Sequence, residues 1–248
     1  MTLEAFFAAH NKAALAFSGG ADSAYLLWAG TQFGAELTAY IVKSAFQPDF
    51  ELEDAQRLCA QLDVPLRVLP LDILSVPGVR ENGPERCYLC KKAIFSAIAE
   101  AAAQDGYTLL LDGTNASDDA SDRPGMRAIK ELGVLSPLRL CGVTKKELRR
   151  LSREAGLFTA DKPAYACLAT RVPTGKMLTE ETLSRVERAE SALTVLGFSD
   201  LRVRTDGAVA KLELLPSQLS MAAEKAEKIR KILSEFEEWT LAERQTRD

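Results

Sequence analysis

The chain has 248 residues, 47% of them hydrophobic and 27% charged, which excludes a disordered or fibrous polypeptide and supplies apolar material for one large or two modest cores. Its net charge of −4 and pI near 5.3 argue against a general nucleic-acid binder, which carries a basic face. Five cysteines beside a single histidine, His10, exclude histidine-dependent triads and zinc sites, while the absence of a long apolar run and the acidic Glu4 near the start predict neither membrane span nor signal peptide, and a cytoplasmic protein.

In chain order, Met1 to His10 reads as a surface helix and Ala13 to Phe17 as a short strand. Ser18-Gly19-Gly20-Ala21-Asp22-Ser23 then turns the chain into a helix that runs on through Ala24, Tyr25, Leu26, Leu27 and Trp28. At a strand-to-helix turn the unpaired N–H groups and the positive helix end converge, which makes an anion site. Glycines admit a close approach, Ser18 and Ser23 add donors, and Asp22 offers a hard oxygen to Mg²⁺. A Walker loop needs Lys-Ser/Thr after its glycines and a dinucleotide fingerprint needs three spaced glycines. Neither is present, and Gly175-Lys176 is followed by Met177. The hexapeptide resembles instead the PP-loop of ATP pyrophosphatases, which split ATP into AMP and pyrophosphate while adenylating a substrate.

Glu36 to Val42 reads as a strand, Pro48 to Leu62 as a helix with an acidic first turn, and Leu66 to Leu69 as a third strand. This alternation predicts βαβ units in a doubly wound parallel sheet, whose ligand sits beyond the carboxyl ends of the strands. Ser44, just past the second strand, is placed to meet a nucleotide. A polar segment, Ser75 to Glu85, delivers Cys87-Tyr88-Leu89-Cys90 to the start of a helix over Lys91 to Gln104. The strand Thr108 to Leu111 ends in Asp112-Gly113-Thr114-Asn115, with Asp118, Asp119 and Arg123-Pro124-Gly125 following; Gly113 falls beside the same pocket. Gly125 to Leu132 and Thr144 to Ala155 read as helices, the second with Thr144 and Glu147 in capping-box register.

Asp161 to Arg171 is non-periodic and holds Lys162, Cys167 and Arg171. Pro173-Thr174-Gly175 reads as a linker, so the expected domains are 1–172, an α/β nucleotide domain, and 173–248, a small α+β domain near the lower limit for an independent core. The second contains a helix, Thr179 to Leu196, a hairpin turning at Asp206-Gly207, a helix over Pro216 to Leu233 and a last strand, Phe236 to Leu241. Arg202 and Arg204 share one strand face by alternation. Glu190 reads as an exposed helical charge, and Cys59 and Cys141 as buried small hydrophobes.

Taken together, S-G-G-A-D-S, Pro84 to Phe95 (P-E-R-C-Y-L-C-K-K-A-I-F), D-G-T-N, D-R-P-G, Glu131 to Leu138 (E-L-G-V-L-S-P-L), D-K-P-A-Y-A-C-L-A-T-R and L-R-V-R resemble the LarE-type ATP-dependent sulfur transferases of nickel-pincer cofactor synthesis. The resemblance implies a pyridinium 3,5-dicarboxylate mononucleotide substrate whose carboxylates are adenylated by Mg-ATP and converted to thiocarboxylates. In one-cysteine members the residue matching Cys167 gives up its own sulfur. In others, three cysteines matching Cys87, Cys90 and Cys167 hold a [4Fe–4S] cluster that ferries sulfide from a donor still to be identified. Arg202 and Arg204 match the arginines that hold the substrate phosphate, Glu190 matches a metal-binding carboxylate, and members form homo-oligomers, hexamers in particular. No nucleic acid or membrane partner is implied.

The residues leave three readings of the thiols open: a cluster, a sacrificial Cys167 beside a spectator pair, and a redox pair. Three thiols with no nearby histidine favour the cluster. Arg86, Lys91 and Lys92 flank Cys87 and Cys90, and Lys162 and Arg171 flank Cys167, where cations favour the thiolate. A PP-loop tRNA thiolase, an NAD-synthetase-like enzyme and a non-catalytic sulfur carrier are the alternatives.

Overall fold

Thr2 accepts the N–H of Ala5 at 3.1 Å and starts α1 (Leu3–Ala9). Phe6 and Phe7 of this helix are buried in the core while Glu4, Ala5, Ala8 and Ala9 are exposed, so the expected surface helix is anchored by one apolar face. The structure is a computed structural model, and the residues described are 1–118 and 124–244; Asp119 and Arg123 of the expected pocket segment lie outside them. Two compact units are formed, one by Met1–Ile73 and Cys87–Lys162, the other by Leu74–Arg86 and Pro163–Asp248.

The sheet of the first unit contains β1 (Lys12–Ala16), β2 (Glu36–Lys43), β3 (Leu66–Pro70) and β4 (Leu110–Leu111) in the order β3-β2-β1-β4, with each neighbouring pair parallel. β1 and β2 are nearly continuous apolar runs because both faces of the sheet are covered. Ala13, Leu15, Leu37, Ala39 and Ile41 point to one face and pack with α1, with Leu26 and Leu27 of α2 (Ala21–Gln32) and with Leu58 of α3 (Asp49–Leu62). The alternate residues Ala14, Tyr40 and Val42 meet Ile98 and Ala102 of α4 (Arg86–Gln104) on the other. That alternation makes the sheet doubly wound.

The helix α4 begins at Arg86, earlier than Lys91, because the Arg86 N–H donates to Gly83 O at 3.0 Å and the chain continues helical from there. Cys87 and Cys90 therefore lie on the helix, three residues apart on one side. β4 starts at Leu110, later than the expected Thr108, and its Leu111 also bridges to Leu135. α5 (Pro124–Glu131), α6 (Pro137–Leu140) and α7 (Lys145–Glu154) complete the unit, the last capped by Thr144, whose Oγ1 accepts the Glu147 N–H at 3.3 Å.

In the second unit α8 (Glu180–Val195), capped by Thr179, packs on a sheet in which β5 (Arg202–Thr205) and β6 (Val209–Leu214) are antiparallel and β7 (Glu238–Glu243) runs parallel to β6. The helix expected over Pro216 to Leu233 is divided at Lys225 into α9 (Leu219–Glu224) and α10 (Ala226–Ile232). Lys225 leaves helical geometry, and its Nζ donates to Leu196 O at 2.7 Å, a tertiary bond that no local pattern announces. The polar segment Leu74–Arg86 belongs here because Gly175 and Leu178 donate backbone N–H groups to Asn82 O at 2.9 Å and Arg80 O at 2.8 Å. Among the described residues no helix is long and apolar enough to cross a membrane.

Candidate active site

The strand order places β2 and β3 on one side of β1 and β4 on the other, so connections diverge between β1 and β4. In an open α/β sheet that switch point is where a crevice opens beyond the carboxyl ends. A cavity of about 300 Å³ lies there, lined by Ser18, Asp22 and Ser23 after β1, by Asp112, Gly113 and Thr114 after β4, and by Lys91 with Ile94, Phe95 and Ile98 of α4. Its lining mixes polar with apolar side chains, the composition of a small-molecule site.

The loop itself is held by its own serines. Ser18 Oγ and Ser23 Oγ are 3.1 Å apart, the Gly20 N–H donates to Ser18 Oγ at 3.3 Å, and Ser23 Oγ donates to Gly20 O at 3.2 Å. Gly20 is the N-cap of α2 and supplies no side-chain acceptor, so the first N–H groups of this twelve-residue helix and its positive end are open to an anion. Gly19 sits at φ +68°, and a Cβ there would lie 2.5 Å from Glu51 O; one on Gly113 would lie 2.8 Å from Ser23 N. Both positions therefore need glycine, the first to turn and the second to let the β4 turn close on the loop.

Asp22 accepts two bonds from Lys145 Nζ, at 2.7 and 2.8 Å, and one from Asn115 Nδ2 at 3.4 Å. Its donor type and place at the loop fit Mg²⁺ accompanying a bound nucleotide. Lys145 was not singled out by sequence, although a lysine at the first position of a helix opposes the helix dipole and that anomaly was readable. Asp112 is buried and accepts from Thr114 Oγ1 and Ser136 Oγ, both at 2.5 Å, which fixes the turn that carries Gly113. Ser44 is buried and donates through Oγ to Gln47 Oε1 at 2.6 Å, and Gln47 is the residue that lines the cavity.

In the second unit Cys167 precedes a short 3₁₀ turn, Leu168–Arg171. Arg171 is fully buried; its Nε and Nη2 donate to Glu190 Oε1 and Oε2 at 2.7 and 3.0 Å, and Nη1 donates to Ala166 O at 2.8 Å. Burial opposes its charge, but Glu190, with Tyr165 and Cys167 behind it, raises its pKa above the ordinary value. Glu190 also accepts from Tyr165 Oη at 2.6 Å and from the Val203 N–H at 2.8 Å. The expected exposed helical charge is thus one half of a buried ion pair. Arg202 is buried and donates to Leu201 O and Ala164 O at 2.7 and 2.8 Å; burial first, then Arg171 and Arg244, lower its pKa to about 10. Arg204 is exposed and donates to Glu213 Oε2 at 2.8 Å and Thr170 O at 2.9 Å.

Cys87 is exposed, Cys90 and Cys167 are half-buried, and none of the five cysteines is in a disulfide. Cys87 and Cys90 belong to the first unit and Cys167 to the second, so neither unit alone holds the three thiols of the expected cluster. Among the described residues no group of three or more His, Cys, Asp and Glu side chains is gathered to hold a metal. Cys59 is buried, which pushes its thiol up to about 11. Cys141 is half-buried rather than buried, with burial again raising its pKa. Lys162, expected near Cys167, is bonded instead to Gly19 O and Asp54.

A parallel sheet with an S-G-G-x-D-S turn at its switch point, a glycine-bearing turn closed on that loop and a carboxylate at the helix start define a PP-loop protein. The chain is 34% identical over 206 residues, 82% of its length and 75% of the relative's, to the pyridinium-3,5-bisthiocarboxylic acid mononucleotide synthase of Lactiplantibacillus plantarum. It belongs to that LarE family of sulfur transferases. An uncharacterized protein of Synechocystis sp. is 35% identical over 88% of this chain and 81% of its own. A tRNA-specific 2-thiouridylase of Acidithiobacillus ferrooxidans is 28% identical over 62% of this chain and 52% of its own. No family model matches the chain.

Proposed function

We propose that the chain is an ATP-dependent sulfur transferase that adenylates the carboxylates of pyridinium-3,5-biscarboxylic acid mononucleotide and converts them to thiocarboxylates. The observation that carries this reading is the match to the Lactiplantibacillus synthase over most of both chains, with the PP-loop at the switch point where a nucleotide binds. A carboxylate oxygen attacks the α-phosphorus of ATP and pyrophosphate leaves. A sulfur nucleophile then attacks the carbonyl carbon of the acyl adenylate, and AMP departs with the former carboxylate oxygen. Without adenylation the leaving group would be oxide, which does not leave.

The roles follow from chemistry and position. Ser18, Gly19, Gly20 and Ser23 cradle the departing pyrophosphate, which the open end of α2 stabilises. Asp22 holds Mg²⁺, which supplies charge neutralisation to the phosphates. In this structure the Lys145 ammonium is the cation on that carboxylate. Gly113 lets its turn close over the nucleotide, and Ser44 orients Gln47 toward it. Arg202 and Arg204 take the phosphate of the substrate, for which a forked guanidinium is suited.

Cys167 is the sulfur-bearing residue, beside the Arg171 cation that favours its thiolate. Cys87 and Cys90 would be its fellow ligands if a [4Fe–4S] cluster is bound, and the cluster would then supply the site for an extra sulfide; the support is the count of three thiols with no competing histidine, and the tendency of an idle Cys-x-x-Cys to oxidise. In this reading the protein turns over rather than being consumed. Anaerobic purification with iron and sulfide analysis, followed by mass spectrometry after turnover, tests it. Iron and sulfide at cluster stoichiometry, with pyrophosphate released only when the carboxylate acceptor is present, support the reading. Loss of about 34 Da at Cys167, the mass of H₂S leaving a cysteine that becomes dehydroalanine, replaces the cluster with the sacrificial mechanism. Turnover without pyrophosphate removes the adenylation.

A further inference from the structure

Lys162 stands five residues before Cys167 in sequence, but its charge is committed to the nucleotide loop. Its Nζ donates to Gly19 O at 3.0 Å and to Asp54 Oδ2 at 2.6 Å, and lies 5.0 Å from the ring centroid of Phe50. Asp54 and Phe50 are both on α3, and the Lys162 side chain is 15% exposed. The backbone at this residue is fixed as well: its N–H donates to Thr159 O at 3.1 Å and its carbonyl accepts from Arg149 Nη2 at 3.0 Å. Head and stem are therefore both anchored.

What this cation grips is the peptide that decides the shape of the loop. Gly19 has φ +68°, a residue whose backbone alone has little to prevent a flip. In a trans peptide the carbonyl and the following N–H point in opposite directions. A cation that holds Gly19 O against α3 turns the Gly20 N–H the other way. There Ser18 Oγ accepts it at 3.3 Å, and Ser18 lines the cavity. Asp54 keeps the ammonium on the α3 side, so that it does not itself swing to an anion in the cavity.

We propose that Lys162 is a positioning residue for the nucleotide phosphates: clamped between Asp54 and the Gly19 carbonyl, it holds the Gly20 amide on Ser18 Oγ and so fixes the loop whose Ser18 and Ser23 face the bound anion. The inference rests on the reading of the loop as an ATP site. The decisive experiment titrates Mg-ATP into the full chain without acceptor by calorimetry, comparing the wild type with Lys162→Met, Lys162→Arg and Asp54→Asn, with thermal unfolding of each measured in parallel. Loss of one charge-assisted bond predicts that Lys162→Met weakens ATP binding about tenfold or more, that Lys162→Arg restores most of it, and that Asp54→Asn falls between. In turnover the KM for ATP rises by a larger factor than kcat falls. Equal ATP affinity in Lys162→Met and wild type, or a lowered unfolding temperature with affinity unchanged, overturns the proposal. If Lys162→Met does not fold, Asp54→Asn decides alone, and unchanged affinity there overturns it. A wild type that binds no ATP removes the nucleotide reading itself, a result separable from failure of the clamp.

Discussion

Glu190 and Cys59 show how far a residue's surroundings move its chemistry. The pair Arg171–Glu190 is closed at 2.7 Å with both side chains almost out of reach of solvent, and Tyr165 and Val203 use the remaining acceptor sites of the carboxylate. Removing one member of such a pair leaves the other charged, buried and unpaired. Glu190→Ala is therefore expected to destabilise the second unit by about 3–5 kcal/mol, read as a shift of the urea unfolding midpoint. A midpoint within error of the wild type would contradict the buried pair. For Cys59 burial disfavours the thiolate, and its pKa of about 11 leaves roughly a thousandth of it ionised at pH 8. Alkylation of the native protein at pH 8 is expected to spare Cys59 and to label it on unfolding; the rate rises with pH because the thiolate fraction does.

At the scale of elements, the loop between β1 and α2 depends on the neighbouring helix as much as on its own sequence. α3 passes so close that a Cβ on Gly19 would meet Glu51 O at 2.5 Å, and the positive φ adds strain of its own. Gly19→Ala is expected to abolish measurable Mg-ATP binding while the far-UV circular dichroism stays native, since the clash is confined to one turn. ATP binding retained at wild-type affinity would show that the loop accommodates the methyl group. The helices that sequence placed well have signals inside themselves: α3 its acidic first turn, α7 and α8 their threonine caps. Those it misjudged do not. α4 starts through a backbone bond from Arg86 to Gly83, and α9 and α10 are separated by a lysine reaching for Leu196 O.

For the whole molecule, the two units follow contacts that sequence distance conceals. Leu74–Arg86 is tied to 172–178 by Asn82, whose Nδ2 donates to Pro173 O at 2.9 Å, although about ninety residues separate them. The second unit is small, and self-association is expected to support it. We propose a homo-oligomer, a hexamer by family resemblance, and multi-angle light scattering at micromolar concentration is expected to give a mass that is a multiple of 27.0 kDa. A strict monomer would remove that assembly.

The parallel sheet, the loop Ser18 to Ser23, the hairpin at Asp206-Gly207 and the family were legible in the sequence because each is written in neighbouring residues: alternation, turn glycines, caps and a motif of fixed spacing. The place of Asp22 in the first turn of α2 was legible in the same way. The tertiary structure decided the rest. It put Lys145 on Asp22 and Lys162 on Gly19, moved Glu190 from solvent to a buried pair, and set Gly113 against Ser23. These are meetings between residues far apart in the chain, and a side chain's partner at such a distance is chosen by packing, which local pattern does not encode.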